Sequence, residues 1–190
     1  GFCERAAAAD GRPSSSKYTE YSKAVLTLTA AGFDASRAAA SQERPEGYDF
    51  TEPLTQVDRV SAQGVTGTPY ALLALDCGNY RAQESDALRG QLVAYLLDNQ
   101  LDDGGFALTN DKADAADADV TAIVLSALAP YEQAAQAVQR GLDCLAGMQL
   151  ESSGFASYGQ ESCESTAQVI VALCRLGIDA QDARFVKEGG

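Results

Sequence analysis

The chain of 190 residues has the length of a single globular domain, and 46% of its residues are hydrophobic while 22% are charged. Its formal net charge of -13, from 27 acidic and 14 basic residues, opposes binding to nucleic acids, because phosphate groups are bound by clustered lysine and arginine. We therefore expect no nucleic-acid partner. No apolar run approaches the roughly 18 residues of a membrane helix, so we also expect no membrane insertion.

The N-terminal residues 1–17 are predicted to form a partly flexible segment, because Asp10–Ser16 is rich in small and polar residues. Residues 18–190 are predicted to form one domain of repeated helices. Ala183–Lys187 has the pattern of the start of another surface helix, which predicts that the domain is part of a longer protein.

Four apolar blocks that close on leucine recur along the chain at nearly constant spacing. They are Val25–Leu28, Leu72–Leu75, Leu125–Leu128 and Ile170–Leu173. Threonine lies seven residues before the closing leucine in three of them, at Thr68, Thr121 and Thr166, whereas the first has Tyr21 there. A period of about 48 residues is typical of repeat proteins, in which each unit buries its apolar face against its neighbours.

Each block lies in a predicted helix that is apolar nearly all round and therefore buried on most sides. These inner helices are predicted at 19–31, 67–77, 117–129 and 164–176. Gly32, Gly78 and Gly177 are predicted to close three of them in the left-handed conformation, and Pro130 stops the other. A short helix is predicted around 54–62, and amphipathic surface helices at 86–99 and 132–148. The predicted fold class is all-α.

Two connections from a surface helix to an inner helix share one pattern. Gln100 and Gln149 each lie six residues before a phenylalanine that follows glycine, and they are 49 residues apart. Glycine permits a tight turn, the aromatic ring can fold back onto the core, and the glutamine amide can bond carbonyl groups at the helix end. We interpret this pattern as a structural device.

The cysteine and histidine content limits the chemistry that the chain can perform. Five cysteines without a C-x-x-C pair (Cys3, Cys77, Cys144, Cys163, Cys174) indicate neither a dense disulfide framework nor a zinc ribbon, and we predict that they are small buried apolar residues. No histidine is present, which excludes a nucleophile activated by histidine. The acidic stretch 98–119 matches no calcium-loop spacing. We therefore expect no metal site and no cofactor.

Three segments carry a resemblance to a known superfamily: residues 63–76, Asp117–Ala122 and Glu164–Leu173. With the alternation of inner and outer helices they resemble the α/α-toroid superfamily of prenyltransferase and squalene-cyclase repeats. Within it, the chain is similar to a bacterial repeat domain of secreted or surface-anchored Gram-positive proteins that is related to the cobalamin carriers. The resemblance implies a toroid of helical hairpins, and about four periods imply an incomplete ring or arc.

The segment Asp117–Ala122 also looks like the acid motif of the class II terpene cyclases, with Val120 in place of its third acidic residue. The likeness implies Asp119 as a general acid, with Asp117 beside it, that protonates an alkene or epoxide. Such a cyclase needs an aromatic-lined cavity, and this chain has no tryptophan and 7% aromatic residues. The alternative interpretation is that both carboxylates cap the helix, as Glu161 and Glu164 would before the last inner helix.

Other activities of the superfamily lack their residues here. The zinc site of a protein prenyltransferase needs histidine, which is absent. A thioester domain needs a cysteine followed closely by Glu-Gln, and Cys163-Glu164-Ser165 has no glutamine at that spacing. Enzymatic activity is therefore left open, and a function without catalysis is favoured.

The favoured function is a non-enzymatic binding module, extracellular or at the cell surface, that takes a small molecule, a glycan or a protein partner on the concave face. A corrinoid is the small molecule that the resemblance implies. The residues predicted to line this face share the N-terminal ends of the inner helices: Tyr70, Asp117, Asp119, Thr121, Glu164, Thr166 and Gln168. For each threonine, a hydroxyl bonded to its own helix is the alternative. A structural spacer in a longer surface protein is the remaining alternative function.

Overall fold

The computed structural model describes residues 10–82, 85–157, 159–179 and 181–187. These residues belong to two compact units, one within Gly1–Gln63 and Tyr70–Leu92 and the other within Gly64–Pro69 and Val93–Gly190. The helices of the described residues are α1 (Tyr18–Ala30), α2 (Val57–Ser61), α3 (Gly67–Cys77), α4 (Ser85–Asp98), α5 (Ala118–Leu128), α6 (Ala135–Met148) and α7 (Cys163–Arg175). Short 3-10 helices lie at Ala35–Arg37, Glu52–Thr55 and Glu132–Ala134. No helix among these residues is long and apolar enough to cross a membrane.

The structure is mostly helical, in agreement with the predicted all-α class, and it also contains a small two-stranded sheet. Strands β1 (Phe155–Ser157) and β2 (Gln160–Ser162) pair antiparallel, with Phe155 opposite Ser162. In the preceding repeat, Phe106 lies eleven residues before Asp117, whereas only seven separate Phe155 from Ser162. A connection this short returns to the helix start most directly as a hairpin.

The first unit is organised around α1, which packs against α2 and against two of the 3-10 helices. Val25, Leu54 and Val60 have no exposed surface and form part of its core. Tyr80 joins two elements of this unit, because its hydroxyl lies 2.8 Å from Thr29 Oγ1 and accepts the Ala35 N–H at 3.1 Å. The 54–62 helix predicted from the sequence is two shorter pieces, a 3-10 helix that ends at Thr55 and then α2.

Three helices end in the same hydrogen-bonded turn, and one of the predicted glycine positions needs correction. After α1 the Phe33 N–H donates to Leu28 O, and Gly32 is left-handed with φ 81°; Gly177 closes α7 in the same way with φ 68°. After α3 the left-handed residue is Asn79, with φ 49°, and not Gly78. Asparagine tolerates this conformation because its short polar side chain bonds locally.

The second unit contains α5 packed between α6 and α7. Every residue of α5 except Asp119 is buried, as the sequence predicts for an inner helix. On the α7 side, Arg175 Nε donates to Ser126 O at 2.7 Å. On the α6 side, Gly141 allows close approach, since a Cβ there would lie 2.6 Å from a methyl group of Leu125.

Three further predictions are corrected, two in the second unit and one that concerns the cysteines of both units. Helix α7 is not buried on most sides, because Ile170 and Val171 are 50% and 55% exposed. Ala183–Lys187 forms turns rather than a helix, since the Asp182 carboxylate accepts the Arg184 N–H and guanidinium and fixes a local turn. The described cysteines are not buried: Cys144 is half-buried and the others (Cys77, Cys163, Cys174) are exposed thiols, while Cys3 lies outside the described residues.

Candidate functional site

The two glutamine turns have the same hydrogen bonds. The Gln100 amide Nε2 donates to Gly104 O in its own turn and to Ala137 O in α6, both at 2.8 Å. The Gln149 Nε2 donates to Ser153 O and to Phe185 O, both at 3.0 Å. Each glutamine therefore ties its turn to a carbonyl 36 or 37 residues further along the chain. This agrees with the prediction of a structural device.

Two of the three repeated threonines, Thr121 and Thr166, stabilise these same turns, whereas the buried Thr68 hydroxyl has no hydrogen-bond partner among the described residues. The Thr121 hydroxyl accepts the Phe106 N–H, and the Thr166 hydroxyl accepts the Phe155 N–H, both at 3.0 Å. The Thr166 hydroxyl also donates to Ser162 O, four residues earlier. Thr121 has no exposed surface, so a ligand could reach it only if the turn opened. Thr166 is half-buried and lines a cleft described below.

The two aspartates before α5 have different environments. Asp117 is the N-cap of α5, and its carboxylate accepts the Val120 N–H at 3.0 Å. Asp119 is half-buried, and its buried Oδ1 has no hydrogen-bond partner among the described residues. At the start of α7 the equivalent cap is Ser162, whose hydroxyl accepts the Ser165 N–H at 3.1 Å. The structure thus identifies Asp117 as a cap and leaves one oxygen of Asp119 unassigned.

The remaining predicted ligand residues belong to both units. Tyr70 belongs to the first unit and is half-buried, and Gln168 is half-buried on α7. Glu164 is exposed; its own backbone N–H, the Cys163 thiol and the Ser162 hydroxyl donate to the carboxylate and lower its pKa. No described group of three or more cysteine, aspartate or glutamate side chains could hold a metal ion.

A cleft of about 480 Å³ runs beside α7 in the second unit. We call it the α7 cleft. Its lining residues come from α7, from the glutamine turn and from the C-terminal segment: Gln149, Ser153, Phe155, Thr166, Val169, Ile170, Leu173, Gln181, Phe185, Val186 and Lys187. The apolar side chains form its floor, and Val186 is 54% exposed at its edge. Its volume is within the usual range for ligand pockets.

Polar and charged side chains also lie in the segments that line this cleft. The buried Oε1 of Gln149 has no hydrogen-bond partner among the described residues, although the amide nitrogen of the same side chain makes two bonds. In the C-terminal segment, Asp182 binds the Arg184 guanidinium, and this contact lowers the pKa of Asp182 to about 2. A second groove shares Thr166 and Ile170 with the cleft and is also lined by Glu161. The cleft itself is lined mostly by apolar side chains, with Lys187 as its charged lining residue.

The prediction from sequence identified one residue of the cleft, Thr166, and missed its apolar floor. A signal was present, since Ile170-Val171 is flanked by Ala167 and Cys174 at helical spacing, which gives α7 a second apolar side. The sequence pattern predicts that this side is buried, whereas the structure exposes Ile170 and Val171. The sequence of the chain matches no model of a known protein family and no curated protein.

Proposed function

We propose that the chain is a non-enzymatic binding module built of repeated helical hairpins, and that the α7 cleft is its binding site. The observation that carries the proposal is the exposed apolar side of α7. The helix at the same place in the preceding repeat, α5, has no exposed apolar side chain. Leu125 on α5 corresponds to Ile170 on α7 by position in the repeat, and Leu125 has no exposed surface. Large exposed apolar patches beside a cleft are typical of binding surfaces.

The proposed architecture is an arc of the α/α-toroid type. The identical bonds of Gln100 and Gln149 and the paired threonine contacts support a repeat of about 49 residues. With the resemblance, this favours a module that lies outside the cell or at its surface. A small molecule, including a corrinoid, a glycan or a protein partner is the ligand to be distinguished by experiment.

The cyclase-like activity is the second candidate, because Asp119 Oδ1 is buried without a partner. A general acid of this kind has to donate a proton to the substrate in the transition state. The test is incubation with isoprenoid substrates and analysis of the products by mass spectrometry. A cyclised product that Asp119→Asn abolishes would favour the enzyme, and its absence leaves the binding module.

A thermal-shift screen with two matched variants tests the proposed site. The protein is screened against corrinoids, cell-wall sugars, isoprenoid diphosphates and apolar peptides, since any ligand of the folded state raises Tm. Ile170→Glu places a charge in the cleft, whereas Val171→Glu adds the same charge at an equally exposed position outside its lining. A shift lost only in Ile170→Glu supports the site. No shift with any class, or equal loss in both variants, contradicts it.

A further inference from the structure

No further inference is drawn: the strongest candidate, the cavity of about 350 Å³ in the first unit beside the exposed ring of Phe33, is lined mostly by apolar side chains, and nothing in the structure shows what covers it.

Discussion

Replacing Gln100 by methionine tests whether the glutamine turns stabilise the fold. Methionine keeps the length and approximate volume of glutamine but removes the amide. Gln100 is 9% exposed, and its two bonds to Gly104 O and Ala137 O are each 2.8 Å long. A buried hydrogen bond contributes a net value of about 1 kcal/mol, so we expect the free energy of unfolding to fall by about 2 kcal/mol. That is a large part of the stability of a typical domain.

Gln149 provides the matched comparison, because its amide makes the same two kinds of bond at a half-buried site. Water can replace part of the hydrogen bonding that Gln149→Met removes. We therefore expect the free energy of unfolding to fall by about 1 kcal/mol or less. Both variants are measured by urea denaturation followed by far-UV circular dichroism, with the slope of the transition compared as a control. A loss below about 0.5 kcal/mol for Gln100→Met, or an equal loss for both variants, would refute the reasoning.

Three further predictions concern single side chains. Thr121→Val should lower the free energy of unfolding by about 1–2 kcal/mol in the same assay, because the buried Phe106 N–H loses its acceptor; an unchanged midpoint would contradict this. Asp182 has its pKa lowered to about 2 by Arg184, so its contribution is present above the unfolded pKa near 3.8 and is lost as the pH falls toward 2. The Tm difference between the unmodified chain and Asp182→Asn should therefore shrink from pH 6 to pH 2, and a constant difference would count against the ion pair. Burial raises the pKa of the Cys144 thiol from 9.0 to about 11. At pH 8.5 its thiolate fraction is thus about 100-fold lower than that of an unperturbed cysteine. Mass spectrometry should therefore find that iodoacetamide modifies the exposed cysteines of α7 well before Cys144. The reverse order of modification would contradict this environment of Cys144.

The helices could be predicted because their signals are local. Gly177 together with the apolar block before it indicates where α7 ends. Apolar periodicity predicts both ends of α5 to within one residue of those in the structure. Asn79 shows the limit of such signals, since either of two neighbouring residues could have taken the left-handed position. The β1–β2 hairpin depends on the length of a connection rather than on strand propensity, and so its sequence carried little sign of it.

The candidate site was harder to predict because exposure depends on what packs against a helix. Ile170 and Leu125 have similar side chains at equivalent positions, yet one is half exposed and the other is buried. The sequence of α7 does not contain that difference; the presence of α6 beside α5 creates it. Thr121 illustrates the converse, because a polar residue at a helix start can be an internal hydrogen-bond acceptor as readily as a ligand contact.

The matching bonds of Gln100 and Gln149 also bear on how such a chain can change in length. Each glutamine closes a loop of nearly the same size, 37 residues in one case and 36 in the other. A deletion of residues 100–148 would join Asn99 to Gln149 and replace one turn by another with the same hydrogen bonds. Insertion or deletion of one 49-residue repeat therefore leaves a glutamine turn of the same type between the flanking helices. A shorter deletion would instead separate a glutamine from the carbonyl that it binds.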